Sequence, residues 1–455
     1  MKKILQKYLL IAAILPCLLV SCEKLIEIDL PINEMATETL FSDSATIVAA
    51  AEGLYSENLL SNPVYYYLIP FYSSAMADDS YHNVVSYAPL NENTYSPTTS
   101  FIQSLWQYPY QSIYVSNSFI NGMDGNTILS GQRKNQYIGE AKYFRAYSYF
   151  VLVNFFGDVP LILTTDYNKT ALQPRAPVAD VYGQIIADLK DAEIGLAAST
   201  NSNNKLTKSA ASALLARVYL YNGQWLEAET KANEVITTSG STIEAIGNVF
   251  LRSSTETIFK ITSEYASYSG RAYWGVLTAN RSYNHLRSEL LGAFEAGDLR
   301  ESSWTVARTA ATGAYTHSYK YKRSTNPSNT AQAEDFVMLR LAEQYLIRAE
   351  ARAQQGGAKL TDAIDDLNVI RTRAGLVNLP NTLTQAQVLQ AVEQERRVEL
   401  FLEEGHRWWD MKRTGRIDNI LGVIADKQWS SHKALLPIPD LEQNLNGNLT
   451  PNPGY

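Results

Sequence analysis

Apolar residues recur at helical spacing over most of the chain. After Asp43, a residue type suited to capping a helix N-terminus, they follow every three or four positions from Ile47 to Leu59. Similar spacing predicts seven further helices, over 134–156, 178–197, 208–222, 224–237, 335–354, 361–373 and 384–404. Thr384 and Gln387 form a capping box for the last of them. The pattern therefore predicts a mostly α-helical protein.

Several of these helices repeat one another. Residues 211–236 have the helix–turn–helix pattern of a tetratricopeptide repeat, with Gly223 at the turn, and residues 342–370 align with them. The matched positions are Arg217 with Arg348 and Ala228 with Ala363. The predicted helices 134–156 and 178–197 form a further predicted copy, with Arg145 at the position that matches Arg217 and Arg348. Residues 384–413 form a predicted fourth copy. The spacing between copies is irregular, which predicts a tetratricopeptide-like scaffold with insertions.

Two stretches interrupt the helical pattern. Residues 62–114 hold ten of the 29 tyrosines, and their first part is rich in Pro, Asn, Ser and Thr, which predicts an aromatic loop. Residues 241–333 form a second loop insertion with short β excursions, a strand at 258–261 and an alternating segment at 315–321. Long loops on a rigid scaffold commonly carry binding groups. The predicted regions are 1–21, 22–240 and 241–455.

The start of the chain predicts export. Three lysines precede an apolar run that ends at Val20 and is too short to span a membrane, so residues 1–21 are expected to be a removed signal peptide. The residues LVSC resemble the lipobox of bacterial lipoproteins, in which the cysteine, here Cys22, is lipidated. The alternative is an ordinary signal peptide with an incidental cysteine. Cys17 leaves with the signal, so neither an internal disulfide nor a cysteine metal site is expected.

Charge and motifs exclude several classes of function. The formal charge of −7 becomes −10 when the three signal lysines are removed, which argues against a nucleic-acid partner. The sequence contains no phosphate-binding loop, dinucleotide fingerprint, HExxH or GxSxG motif. Its five histidines are scattered, with no pair at metal-ligand spacing. We therefore predict no catalytic residues, metal or cofactor, and a protein that is not an enzyme.

Aromatic residues in the predicted loops are the positive indication of function. An aromatic ring offers a flat apolar platform that suits the C–H face of a pyranose, and neighbouring polar groups can bind its hydroxyls. The predicted ligand-binding residues are Asp79, Tyr81, His82, Tyr95, Tyr273 and Trp274. For the segment around Asp79 the alternative is a capped turn with a packed tyrosine. Peptides use similar platforms, so the pattern leaves the class of ligand open.

The tryptophans fall into two groups by their sequence context. Those in helical apolar patterns are expected in the core, namely Trp106, Trp225, Trp408 and Trp409. Trp274 and Trp304 lie outside the predicted helices, so the pattern favours neither burial nor exposure for them.

The stretch ERRVELFLEEGHRWWDMKR, at 395–413, concentrates charge. At helical spacing, Glu399, Glu403, Arg407 and Asp410 share one face, where opposite charges three or four residues apart support one another. The acids, bases and histidine there resemble a catalytic set. We interpret them instead as a charge ladder on one long scaffold helix, because structural ion-pair networks imitate active sites.

That stretch, continued by TG, also resembles the C-terminal signature of the SusD/RagB family of outer-membrane nutrient-binding lipoproteins. Other matches follow in the family's order. They are the lipobox at Cys22, EAKYFRAYSYFVLVNFFGDVPL at 140–161, FEAGDLR at 294–300, RLAEQYLIRAEARAQQG at 340–356, LLPIP at 435–439 and NPGY at 452–455. The resemblance covers essentially the whole chain, and the combination is specific although each motif alone is weak.

The resemblance implies a SusD-like, tetratricopeptide-like helical fold on the outer face of the Gram-negative outer membrane. It implies a lid over a SusC-like TonB-dependent transporter that captures glycans for import, although some members serve peptide uptake. The family's ligand residues lie in variable loops, so the candidates above rest on loop chemistry alone. Our leading hypothesis is a non-catalytic, glycan-binding surface lipoprotein. The alternatives are a peptide or other non-sugar nutrient as ligand, a surface glycoside hydrolase, and a purely structural lid.

Overall fold

The computed structural model describes residues 40–60, 63–129, 131–197, 204–262, 284–310, 313–322 and 333–455. The predicted signal peptide and Cys22 therefore lie outside the described residues. The helices are α1 (Ser44–Tyr55), α2 (Ile69–Met76), α3 (Ala88–Asn91), α4 (Ser100–Met123), α5 (Gly131–Phe156), α6 (Tyr167–Thr170), α7 (Val178–Gly195), α8 (Lys208–Tyr221), α9 (Trp225–Thr238), α10 (Ser288–Leu291), α11 (Leu299–Trp304), α12 (Leu341–Gln355), α13 (Lys359–Arg373), α14 (Gln385–Leu400), α15 (His406–Arg413), α16 (Ile417–Leu421) and α17 (Asp440–Leu445). The strands are β1 (Ser80–His82), β2 (Thr257–Ile261), β3 (Asn284–Leu286), β4 (Thr305–Ala310), β5 (Gly313–Ser318) and β6 (Phe336–Arg340).

The long helices pack against one another in chain order, α4 on α5, then α7, α8, α9, α12, α13 and α14. The predicted tetratricopeptide-like scaffold is confirmed. Gly223 makes the turn between α8 and α9 with a φ of 71°, a left-handed conformation that glycine adopts without steric cost. Ala228 and Ala363, the matched small residues of two repeats, are fully buried. The Asp43 cap and the Thr384 capping box are also present.

Buried ion pairs join the two helices within repeats. Arg145 of α5 binds Asp188 of α7 at 2.6 Å, and Arg348 of α12 binds Asp366 of α13 at the same distance. Arg217 of α8 departs from this pattern, because its guanidinium binds Glu343 of the later helix α12. The matched arginines therefore link helices within one repeat or between repeats.

The predicted loop at 62–114 is wrong for much of its length. Helix α2 and most of α4 fall within it, and a π-helical segment, Val64–Leu68, precedes α2. Tyr65 is buried, and its hydroxyl lies 2.6 Å from the Ser148 hydroxyl of α5. Every residue of this segment except Tyr67 is buried, so the segment shows no amphipathic period.

The predicted continuous helix through 395–413 is also wrong. Helix α14 ends at Leu400, and the chain turns through Leu402 and Glu404, whose φ angles are 54° and 47°. The Lys320 ammonium donates to the carbonyls of Glu399 at 2.8 Å and Phe401 at 2.9 Å. These bonds satisfy carbonyl groups that a helix end leaves without partners, so the interruption is stabilised by tertiary structure.

The described strands form three antiparallel pairs, β1 with β3, β2 with β6, and β4 with β5. The predicted strand at 258–261 is confirmed within β2. The helix predicted to begin at 335 starts later, because residues 336–340 form β6. Trp304 is buried, as are Trp106, Trp408 and Trp409, whereas Trp225 is half-buried against the core. Within the described ranges, no helix has the length and apolar character needed to cross a membrane.

Candidate functional site

Strands β1 and β3 bring two aromatic side chains together. Tyr81 is paired with His285 in the antiparallel register, and directly opposite residues place their side chains on the same face. Their rings meet edge to face with centroids 5.0 Å apart. The Tyr81 hydroxyl lies 2.9 Å from Nδ1 of His285, a hydrogen bond that fixes the orientation of both rings.

A third ring extends this contact. Strand β5 packs beside β3, and Tyr315 stacks on His285 with centroids 4.4 Å apart and planes 7° from parallel. We call Tyr81, His285 and Tyr315 the aromatic ladder. Tyr81 is 36% exposed and Tyr315 is half-buried, while His285 is buried between them. The ladder therefore presents two tyrosine rings to solvent, held by a buried histidine.

The ladder has the chemistry of a platform for a ligand with apolar faces and hydroxyl groups. Tyrosine rings supply flat apolar area, and their hydroxyls both donate and accept hydrogen bonds. The guanidinium carbon of Arg287 lies 5.8 Å from the centroid of Tyr81, so a cation also borders the platform. Arg287 is itself bound to the Asp426 carboxylate at 2.8 Å, which balances its charge.

The segment that carries Tyr81 is anchored from below by Asp78. This buried carboxylate accepts from Nε of Arg407 at 2.7 Å and from the Arg397 guanidinium at 2.6 Å. Burial acts to raise the pKa of Asp78, but the bonds and charges of the two arginines outweigh it and hold the pKa below its ordinary value. The charged stretch at 395–413 thus fixes the start of β1.

Asp79 is buried beside Asp78 and does not face solvent. Burial, followed by the charge of Asp78, raises the pKa of the Asp79 carboxyl to about 6. Its main-chain carbonyl accepts from the Arg287 amide at 2.9 Å, which continues the pairing of β1 with β3. Its carboxyl group is therefore buried next to the start of β1 and not at the surface, where we predicted it to contact a ligand.

His82 and Tyr95 are likewise interior side chains. The His82 ring packs edge to face on Phe71 with centroids 4.0 Å apart, and burial lowers the pKa of His82 to about 3. The Tyr95 hydroxyl donates to the main-chain carbonyl of Lys433 at 2.7 Å. Both side chains are buried and not at the surface, where we predicted them to reach a ligand.

Tyr273 and Trp274 lie outside the described residues and stay predictions. The sequence reasoning missed two members of the ladder, His285 and Tyr315. Tyr315 stood in a segment recognised as alternating, and alternation places Tyr315 and His317 on one strand face. His285 carried no local signal, because its role depends on pairing with a strand about 200 residues earlier in the chain.

The remaining charges at 395–413 form a buried network with distant residues. Glu399 is fully buried and contacts the guanidinium groups of Arg300, Arg340 and Arg373. Burial raises the pKa of Glu399, but the three arginines outweigh it and hold that pKa far below its ordinary value. A carboxylate so strongly stabilised in its charged form is a poor proton donor. The interpretation as scaffold is therefore favoured over a catalytic one.

Among the described residues, no group of three or more His, Cys, Asp or Glu side chains could hold a metal ion.

Known proteins resemble this chain along its whole length. A model of the SusD family matches residues 221–455, and a model described as starch-binding and associating with the outer membrane matches residues 29–220. SusD-like protein P2 of Formosa agariphila is 25% identical, over 99% of this chain and 100% of its own length. The starch-binding protein SusD of Bacteroides thetaiotaomicron is 34% identical over 27% of this chain and 22% of its own.

Solved structures share the fold. A SusD superfamily protein from Bacteroides vulgatus has a TM-score of 0.81 at 22% identity, covering 91% of this chain and 100% of that one. A laminarin-binding SusD-like protein has a TM-score of 0.74 at 23% identity, again covering 91% and 100%. The fold is that of a helical-repeat protein. The chain belongs to the SusD family, and the family model that matches its N-terminal part describes starch-binding proteins that associate with the outer membrane.

Proposed function

We propose that this protein captures oligo- or polysaccharides at the cell surface without cleaving them. The observation that carries the proposal is the aromatic ladder, which presents tyrosine rings on two separate strand pairs. Both rings are held by His285, so little side-chain entropy is lost when a ligand binds. Family membership and the neighbour described as laminarin-binding support a glycan as the ligand.

We further propose that Cys22 carries the lipid anchor and that a SusC-like TonB-dependent transporter is the partner. The lipobox residues and the family resemblance support both statements. Replacement of Cys22 by Ser is expected to release the protein from the outer membrane. A tagged copy with Cys22 intact is expected to co-purify with the transporter from detergent extracts. A neighbouring transporter gene would add support, and neighbouring glycosidase or peptidase genes would indicate the class of ligand.

Glycan binding is tested with a version of the protein lacking residues 1–22. We expect it to bind laminarin or soluble starch, or another glycan on an array, and to lose at least about fivefold in affinity in Tyr81→Ala and in Tyr315→Ala. Tyr81→Phe keeps the ring and separates stacking from hydroxyl contacts. Tyr114→Ala removes an exposed tyrosine outside the ladder and serves as the matched control. An affinity that neither ladder substitution lowers would place the main site elsewhere.

Two outcomes would favour the other hypotheses. A blank glycan array together with peptide binding in calorimetry would indicate a peptide transporter component. Shortened products after incubation with a bound glycan would indicate a hydrolase.

A further inference from the structure

A second aromatic surface lies on other elements of the fold. Helix α4, the segment that follows α5, and the C-terminal helix α17 enclose a cleft of about 600 Å³. We call it the α4–α17 cleft. Its lining includes Trp106, Tyr110, Tyr167, Gln173, Glu442 and Leu445. It shares no residue with the aromatic ladder.

The floor of the cleft is rigid. Trp106 is buried and packs edge to face on Phe156, with centroids 5.0 Å apart and planes at 89°. Tyr110 lies against Trp106 at 5.1 Å, and its hydroxyl donates to the carbonyl of Pro160 at 2.8 Å. The two rings are therefore fixed before any ligand arrives, which reduces the entropy cost of binding.

The rim exposes large apolar groups that folding leaves uncovered. Tyr167 is 77% exposed and Leu445 is 70% exposed, and they line the same cleft from α6 and α17. An isolated exposed leucine is ordinary on a protein surface, whereas a tyrosine and a leucine bordering an aromatic-floored cleft indicate a binding surface.

The polar groups of the cleft indicate a neutral, hydroxylated ligand. Gln107 and Gln111 expose amides on α4, and Gln173 is held in place by its donation to the Leu161 carbonyl at 2.7 Å. Glu442 is the one charged residue of the lining, and it accepts from Gln103 at 2.9 Å. Amides donate and accept hydrogen bonds, as sugar hydroxyls require, whereas a strongly charged ligand would find few opposite charges here.

We propose that the α4–α17 cleft is a second carbohydrate-binding site, in which the Tyr167 ring stacks on a sugar and the amides bind its hydroxyls. This proposal rests on the proposed function and extends it. With two sites on one molecule, a long polysaccharide that reaches both gains affinity from the increased effective concentration of its second contact. A short oligosaccharide that reaches only one site gains nothing.

The test uses the full-length protein purified in detergent, with Tyr81→Ala and Tyr315→Ala combined to remove the exposed rings of the ladder. Laminarin and soluble starch are the probes, in affinity gel electrophoresis. We expect residual binding to at least one of them. Addition of Tyr167→Ala should weaken that residual binding about fivefold or more, and Tyr167→Phe, which keeps the ring, should restore most of it.

A matched pair of leucines controls for loss of exposed apolar area. Leu445→Ala, inside the cleft, should weaken residual binding, whereas Leu226→Ala, 60% exposed on α9, should not. The proposal is overturned if the ladder-deficient protein binds neither polysaccharide while the unmodified protein binds one, and the proposed function then still stands. Residual binding that Tyr167→Ala leaves unchanged overturns it equally. If the unmodified protein binds neither probe and no other glycan, both proposals fail.

Discussion

The guanidinium of Arg407 donates two hydrogen bonds to the carboxylate of Asp78, from Nε to Oδ1 at 2.7 Å and from the terminal nitrogen to Oδ2 at 2.9 Å. The two residues lie 329 positions apart, at the start of α15 and just before β1. Through this pair, the charged stretch that marks the family supports the strand that carries Tyr81. Scaffold and candidate site are therefore mechanically connected.

Arg407→Ala is expected to lower stability and glycan affinity together. It leaves the buried Asp78 with Arg397 as its remaining direct partner, and breaking a buried ion pair costs about 3–5 kcal/mol of unfolding free energy. The start of β1 then loses its main support, so Tyr81 is held less firmly. Urea unfolding and calorimetry with the bound glycan measure the two effects. Loss of binding with an unaltered melting temperature would contradict a scaffold role for Arg407.

Glu399→Gln is expected to lower stability without changing ligand affinity. The substitution removes the negative charge that three buried guanidinium groups share, and the cost is again on the order of 3–5 kcal/mol. Glu399 has no contact with the ladder, so the folded fraction should bind normally. Asp365→Asn, at an exposed position within α13, is the matched control and should change the unfolding free energy by less than about 0.5 kcal/mol.

The helical scaffold was predictable because it depends on local periodicity. Positions such as Ala228 and Ala363 repeat with the helices that bury them, and the family motifs confirm the same order. The site was less predictable. The ladder joins Tyr81 to His285 across about 200 residues, and pairing at that separation leaves no local pattern in the sequence. The aromatic composition of residues 62–114 was also interpreted wrongly. It predicted an exposed binding loop, whereas Tyr65 and Tyr95 in this stretch are buried.

Tyr95→Phe tests whether Tyr95 belongs to the core or to the ligand site. The substitution removes the hydrogen bond to the Lys433 carbonyl and leaves that acceptor in a partly buried place, which costs about 1 kcal/mol. Glycan affinity should be unchanged, because the ring is buried. A loss of glycan affinity with unchanged stability would show that Tyr95 belongs to the ligand site.

Gly405→Ala is expected to destabilise the turn between α14 and α15. A Cβ atom at this position would lie 2.8 Å from atoms of the Trp409 indole, which is fully buried and packs against Phe150 and Phe155. The overpacking should cost about 1–3 kcal/mol. Gly183→Ala is the control, because the space around that helical glycine is open, and it should raise stability by about 0.5–1 kcal/mol. Equal effects of the two substitutions in thermal unfolding would contradict this account.

Glu140→Gln should stabilise the protein at pH 8 and have little effect at pH 5. Glu140 is buried on α5, where it accepts from Gln136 at 3.1 Å, and burial raises its pKa from an ordinary value of 4.5 to about 7. The folded state therefore holds this proton more tightly than the unfolded state does. The free energy of unfolding therefore falls as the pH rises from about 4.5 to 7, by roughly 3 kcal/mol in total.

The glutamine variant cannot ionise and avoids that cost. Chemical unfolding of both proteins at pH 5, 6, 7 and 8 measures the difference between their free energies of unfolding. Other titrating groups contribute equally to both proteins and cancel in this difference. They include the buried Glu404, whose pKa burial also raises to about 7. Glu227→Gln, at an exposed position on α9, is the matched control for replacing a glutamate by glutamine. A Glu140→Gln effect of the same size at pH 5 and pH 8 would mean that Glu140 does not titrate in this range.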